Sequence, residues 1–359
     1  MNFKFFTIIA MMVVTTSFAG KVFASECGLS CCIAAGVDGV GSNTGLSVSL
    51  QFDAMLMKTN KQGTNNISPD QIISNNLATR PAMSMYAVSN KMVMQKVAAN
   101  FSYRIDEDNA FVLTTPYVIN DMDMRMGMKT MSGIVYSENS MATVQGLGDI
   151  SLLYLRDIYK DSDFRTRKRL SFGLGIKAPT GASDARNSKG DLTHMMMQAG
   201  TNAWDGLMNI NGTLAFGEHE DGGALWLLSP SLFYQLNTRN SLGYKVGNRL
   251  NYDLSARYRL TSAFNIKLDF NGVKSASDST DGTLDTNTGK IAYQNVSGNV
   301  LDNVANTGIH SMFISPGFQW LMGDGYTLSG EYRLPIYQNT TGTQQVTDHW
   351  LFLRLSSSF

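Results

Sequence analysis

Charge is scarce and balanced in this sequence: 16% of its 359 residues are charged, with 29 acidic against 29 basic side chains. An ordinary soluble domain carries about 25%. The balance removes the basic excess by which nucleic-acid binders displace counterions, so no nucleic-acid partner is expected. No Walker, dinucleotide or zinc-protease motif occurs, and no cofactor is implied. Beyond the first residues, no stretch approaches the roughly 18 consecutive apolar residues of a membrane-spanning helix. Proline is limited to 7 residues and cysteine to 3. Glycine, by contrast, reaches 33 and aromatic residues 10%. That mixture excludes a disordered chain and a helical bundle, and suits many short strands joined by polar turns.

Lys4 precedes an apolar run, Phe5 to Val14, of the length of a signal-peptide core. Ser17-Phe18-Ala19 and Val22-Phe23-Ala24 offer small residues where a signal peptidase reads. Residues 1–24 are therefore expected to be a signal peptide, 25–43 a short periplasmic segment and 44–359 one folded unit. Cys27, Cys31 and Cys32 all fall in the short segment. Export to an oxidising compartment points to one local disulfide and one spare thiol. Soft-metal ligation by the three is the alternative, although two adjacent sulfurs fit a closed tetrahedral site poorly.

From Thr44 onward apolar and polar residues alternate. Leu250, Tyr252, Leu254, Ala256, Tyr258 and Leu260 interleave with Arg249, Asn251, Asp253, Ser255, Arg257 and Arg259. Such alternation marks a strand with one apolar and one polar face. The segments fall at about 45–57, 92–105, 109–121, 145–157, 168–178, 204–217, 223–235, 248–260, 263–273, 308–321, 326–337 and 347–359. Each is long enough for a tilted strand to cross a bilayer. Short connections such as Asp106-Glu107-Asp108 and Thr261-Ser262 alternate with long ones such as Lys58 to Lys91 and Lys274 to Gly308. Short periplasmic turns and long outer loops describe an all-β transmembrane antiparallel β-barrel of about 12 strands in the bacterial outer membrane. Closure gives every strand edge a partner, which the lipid bilayer cannot provide. Phe359 closes an alternating last strand and resembles the signal read by the outer-membrane insertion machinery. Pro116, Pro230, Pro316 and Pro335 fall inside strands, where bulges or kinks are expected.

Several stretches resemble the outer-membrane family of the MetA-pathway of phenol degradation. They are Gly146-Leu147-Gly148-Asp149-Ile150, Leu174-Gly175-Ile176-Lys177-Ala178-Pro179-Thr180-Gly181 and Gln198-Ala199-Gly200-Thr201. Gly243-Tyr244-Lys245-Val246-Gly247-Asn248, Ser315-Pro316-Gly317 and Leu334-Pro335-Ile336-Tyr337 follow. The resemblance runs from Gly146 to Phe359; from Thr44 to Val144 only the strand pattern matches. Asn202 stands where the family often carries a second Gly. The resemblance implies a porin-like channel for small solutes, including aromatic or other hydrophobic compounds, and carries over no catalytic residue.

If the apolar sets face lipid, Lys96, Arg104, Arg169, Lys177, Arg249, Asp253, Arg257, Lys267, Asp269, Glu331, Arg333 and Arg354 face the lumen. Cations predominate in that set, which suggests either a salt-bridge network or a slight preference for anions. Methionine is abundant, with 21 in the chain. Met55, Met57, Met92, Met94, Met122, Met124, Met126 and Met128 share the inward parity near the long loops. Thioethers suit greasy ligands and also ligate Cu(I) or Ag(I). Residues two apart on a strand lie about 6.5–7 Å from each other, which favours an apolar solute over one shared ion. A structural or adhesive barrel and a barrel hydrolase are the other readings. For the hydrolase only Asp348-His349 is suggestive, and neighbours on a strand point to opposite faces.

Overall fold

The computed structural model describes residues 44–162, 166–295, 298–323 and 325–359. The expected signal peptide (1–24) and the segment 25–43 with Cys27, Cys31 and Cys32 lie outside the described residues. Strands arise where alternation is sustained. They are β1 (Gly45–Gly63), β2 (Met85–Arg104), β3 (Asn109–Thr130), β4 (Ser151–Lys160), β5 (Lys168–Lys177) and β6 (Asp205–Phe216). β7 (Trp226–Leu236), β8 (Arg249–Arg259), β9 (Phe264–Ser275), β10 (Ile309–Gly323) and β11 (Tyr326–Ser358) complete the wall.

Each strand pairs antiparallel with its sequence neighbour, and β11 pairs with β1, so the sheet closes on itself. β11 is a folded hairpin. Its first half pairs with β10 as far as Thr340, and its second half with β1 from Thr340 to Ser358. Gly342 takes φ 66° at the reversal, a left-handed conformation that glycine adopts without strain. Across the fold-back, Gln338 Nε2 donates to the Thr347 carbonyl at 2.6 Å. The eleven strands therefore make twelve crossings, in agreement with the alternation.

Burial follows parity. Leu46 and Leu50, Phe101 and Tyr103, Phe111 and Leu113, and Ile266, Leu268 and Phe270 are exposed to the outside. Ser49, Gln51 and Asp53, Asn100 and Ser102, and Asn265, Lys267 and Asp269 are buried on the alternate, inward face. An apolar exterior around a polar interior is the arrangement a bilayer requires.

Three local features depart from the sequence reading. The expected strand 145–157 is two pieces, Val144–Leu147 and β4, both paired with β3. The break faces Thr115 and Pro116, where the missing proline N–H cannot extend the ladder. Pro230 and Pro316 likewise sit where pairing to one neighbour is interrupted, and Pro335 sits at a register shift. Secondly, β1, β2 and β3 run further toward the outer loops than expected. Thirdly, the first long loop forms a helix, α1 (Pro69–Leu77). Ser68 accepts a hydrogen bond from the Gln71 N–H as its N-cap, and Pro69 occupies the first turn. Its Ile72, Ile73 and Leu77 bury against Tyr86, Val88 and Val300.

Candidate functional site: the barrel lumen

The inward faces differ around the ring. On β8 to β11 and on β1 they carry charge. Lys267 Nζ lies 2.6 Å from both Asp269 and Glu331, and Arg333 Nη2 lies 2.6 Å from Glu331. Arg354 donates to Gln51 Oε1 at 2.7 Å. Asp253 accepts from Asn271 at 2.7 Å, and buried Arg257 belongs to the same face. Buried charges are tolerated only when paired or hydrated. Lys267, Asp269, Glu331 and Arg333 are knit to one another, while Asp253 and Arg354 hydrogen-bond amide side chains.

The remaining sequence-expected residues also point inward. Lys96 pairs with Asp53 at 2.8 Å. Arg104 and Arg169 share Asp157, at 3.2 and 3.4 Å. Lys177 bridges Asp149 at 2.6 Å and Asp205 at 2.7 Å. Arg249 has the same parity but is exposed at the loop end of β8. The sequence reading did not include Asp53, Asp149, Asp157 and Asp205 in the inward set. With them, the excess of cations that suggested an anion preference narrows, and Lys96, Arg104, Arg169, Lys177, Lys267 and Arg333 each stand in an ion pair.

Sequence reasoning missed an apolar wall inside the lumen. Ala110, Val112, Leu153, Leu155, Leu207 and Phe233 form one buried cluster on β3, β4, β6 and β7. Val112, Leu153, Gly175 and Leu207 are successive cross-strand partners across four strands. Gly175 and Gly173 leave the space that Leu153 and Leu155 fill: a Cβ there would approach Leu153 Cδ1 at 2.9 Å and Leu155 Cδ2 at 2.7 Å. The sequence signal was a local failure of alternation, since Leu152-Leu153-Tyr154-Leu155 and Leu232-Phe233-Tyr234 are apolar on both faces. A cavity of about 190 Å³ lies against this wall. Val112, Leu153, Leu207 and Phe233 line it together with the polar Gln51, Lys96, Asn100, Asp149, Lys177 and Gln235, and Gln235 stands directly opposite Leu207 on the neighbouring strand.

Above the cavity, the glycine motifs form a latch. Asp149 accepts hydrogen bonds from the Gly181 N–H (3.0 Å), the Thr201 N–H (2.9 Å) and Lys177 Nζ. Gly148, Gly181 and Gly200 approach so closely that a Cβ on Gly181 would lie 2.8 Å from Gly200 Cα. Asn202 takes φ 55°, a left-handed conformation that asparagine tolerates better than other non-glycine residues. That explains why a glycine position accepts it. The latch holds the loop 178–204 inward, and Asn120 Nδ2 donates to the Met197 carbonyl at 3.1 Å.

The inward methionines meet that loop. Met57, Met92, Met122, Met124 and Met197 are buried together, and Met55, Met94 and Met126 pack against them. Met128 lies further out, opposite Met85. Outer loops meet one another through Arg186 and Asp285, at 2.7 and 3.0 Å, and through His194 Nδ1 and Asp302 at 2.5 Å. Asp348 and His349 do not form a pair. Asp348 accepts from the Lys58 and Thr59 N–H groups, while His349 stacks on Tyr332. Among the described residues, no group of three or more His, Cys, Asp or Glu could hold a metal ion.

A closed barrel with a lipid-facing exterior and a lined interior defines an outer-membrane β-barrel protein. The chain belongs to the family described as "Putative MetA-pathway of phenol degradation", whose profile matches residues 78–300. The match thus reaches further toward the N-terminus than the motifs that suggested it, and does not extend over the last two of them. The fold is similar to the COG4313 outer membrane channel from Pseudomonas putida F1, with a TM-score of 0.53 and 10% identity over 88% of this chain and 96% of that one. Lower similarities include the TodX monoaromatic hydrocarbon channel (deltaS2S3 mutant), with a TM-score of 0.41, 9% identity and 88% and 91% coverage. The β domain of the Bordetella autotransporter BrkA gives a TM-score of 0.42, 10% identity and 88% and 100% coverage. No curated protein matches the sequence.

Proposed function

We propose that the barrel is a passive facilitator for small hydrophobic solutes, monoaromatic compounds above all. The observation that carries this reading is the apolar wall of β3, β4, β6 and β7 beside the cavity of about 190 Å³. A lumen that served only ions or sugars gains nothing from burying Leu153, Leu207 and Phe233 there. A wholly apolar cavity of roughly 150 Å³ accommodates a benzene ring, and here the apolar wall supplies part of the lining. The polar part of the lining, with Lys96, Asn100 and Gln235, offers partners to a single hydroxyl or similar substituent. The pairing of the lumen cations supports a neutral solute over an anion. The description of the family, a pathway of phenol degradation, points the same way.

The test is uptake by proteoliposomes of phenol and toluene against a sugar of similar size. Faster aromatic entry, reduced in a Phe233→Asp variant while sugar entry is unchanged, is the expected result. Equal rates for all solutes would overturn the aromatic preference. No entry of any solute would favour the structural or adhesive reading. We further propose that Phe359, whose N–H donates to the Leu46 carbonyl at 2.8 Å, serves the insertion machinery as a terminal signal. Loss of outer-membrane assembly in a Phe359→Ala variant tests it.

A further inference from the structure

Ten methionines from five segments of the chain meet in one cluster at the outer end of the lumen. The protein fills its other large apolar clusters differently. Leu, Val, Ala and Phe make the lumen wall, and Ile, Leu, Val and Tyr make the seat of α1; neither contains methionine. Elsewhere packing is met mainly by aliphatic and aromatic side chains, with Met195 the one methionine against the loop cluster of Tyr244, Ala292 and Tyr293 among the described residues. The methionines need another reason.

Their register supplies one. Met57 is the cross-strand partner of Met92, and Met92 is the partner of Met122, so three thioethers stand side by side on β1, β2 and β3. Residues directly opposite on neighbouring strands have Cβ atoms about 4.5–5.5 Å apart. Sulfurs bound to one metal at about 2.3 Å lie roughly 4 Å from each other, a separation that flexible methionines reach from that spacing. The along-strand spacing that disfavoured a shared ion is therefore not the relevant one. Met197, fully buried, covers the row from the loop 178–204.

A path from outside reaches the same cluster. A cavity of about 400 Å³ is lined by Met124, Met126, Met141 and His194. His194 Nδ1 faces the Asp302 carboxylate at 2.5 Å, and its Nε2 lies 3.1 Å from the Asn299 Nδ2 donor. An amide NH₂ only donates, so the Nε2 lone pair accepts the Asn299 bond, and His194 ligates an ion only by giving that bond up. We propose that the methionine cluster is a binding site for a soft monovalent cation, Cu(I) or Ag(I), admitted through the His194 cavity. Thioethers select such ions over Zn(II), Ca(II) or Mg(II). The site goes beyond solute passage and does not depend on it.

The test uses the full chain in detergent with Cys27→Ser, Cys31→Ser and Cys32→Ser in every sample, so that thiolates contribute nothing. Anaerobic titration with Cu(I) against a chromophoric chelator, and with Ag(I) nitrate, reads stoichiometry and affinity. At least one ion per chain is expected, with Zn(II) binding far weaker. Met92→Leu together with Met122→Leu keeps the volume and apolar character of the row. That variant should weaken Cu(I) by about tenfold or more, which is a loss of about 1.4 kcal/mol. X-ray absorption of the loaded parent reads the ligands without any variant, and should show sulfur scatterers around copper. Less than one ion per chain, equal affinity in the double variant, or a copper shell of oxygen and nitrogen alone would each overturn the proposal.

Discussion

The two sides of the lumen solve the same problem in opposite ways. Both are inward faces of strands whose outward faces meet lipid. On β8 to β11 and β1 the interior is filled by ion pairs centred on Glu331, which is buried between Lys267 and Arg333. On β3 to β7 ion pairs stand toward the strand ends, at Asp157 with Arg104 and Arg169 and at Lys177 with Asp149 and Asp205. Between them the interior is filled by Leu153, Leu155, Leu207 and Phe233, with glycines where side chains would collide. Charges that satisfy one another hold a wall rigid and offer little to a passing solute. Apolar side chains beside a cavity offer contact area without a directional bond to break on leaving. The charged side therefore acts as scaffold and the apolar side as the face a solute meets.

The largest effect is expected on the scaffold. Glu331→Ala leaves two buried cations without their shared carboxylate. Breaking such a cluster from one side costs about 3–5 kcal/mol. Urea unfolding in micelles, or the temperature at which the folded band disappears in a heat-modifiability gel, measures it. Glu331→Gln keeps the volume and some hydrogen bonding, and should lose less. A loss under about 1 kcal/mol for the alanine variant would mean that water already screens the network.

Next in size is a change to the apolar side. Leu153→Asp removes apolar contact worth about 1.5–3 kcal/mol to a bound ring. Aromatic uptake should fall roughly tenfold, since about 1.4 kcal/mol is one decade. Ionic conductance in a planar bilayer should be unchanged or increased. Equal losses of toluene and sugar uptake would show that the substitution narrows the lumen instead of changing its chemistry.

The unequal legibility of the two sides has a physical cause. The charged side follows strict alternation, as in β8, so parity alone assigns Asp253 and Arg257 to the interior. The apolar side breaks alternation, because a residue such as Leu153 has the same hydropathy as its lipid-facing neighbour Leu152. Parity cannot rank two apolar faces; only closure of the barrel does. The inward carboxylates Asp149 and Asp205 lie at strand ends or in connections, where alternation lapses, so their pairing with Lys177 was not readable. The helix α1 was readable in principle from Ser68, Pro69 and the spacing of Ile72, Ile73 and Leu77. The methionine parity was legible, but its cross-strand row depends on register, which loops set.

A smaller effect is expected where the apolar side is latched to its loop. Asp149→Asn keeps the shape and loses the charge that holds Lys177 and two N–H groups. A hydrogen bond to a charged group contributes about 1.5–3 kcal/mol. The loop 178–204 should become open to protease within it while the barrel stays folded. Unchanged cleavage would assign the latch to the glycine contacts of Gly148, Gly181 and Gly200 instead.

The smallest effect lies at the seam where loops from the two sides meet. Asp285 accepts from Arg186 at 2.7 and 3.0 Å and from Thr288 Oγ1 at 3.0 Å. The Arg186 hydrogen bonds, above all, hold its carboxyl down to about 2 from an ordinary 3.8. A folded value below the unfolded one stabilises the closed loops fully above the ordinary value, and that contribution is lost as pH falls through the folded value. The window is therefore between about 4 and about 2, and the seam is insensitive to pH above it. With Arg186 a quarter exposed, the pair contributes about 1 kcal/mol, or roughly a fivefold change in the open population. Bilayer conductance recorded from pH 5 downward should rise across that window. Asp285→Asn should show the higher conductance already at pH 5 and lose the step. A step that persists in this variant would place the acid response in the lumen ion pairs and away from the seam.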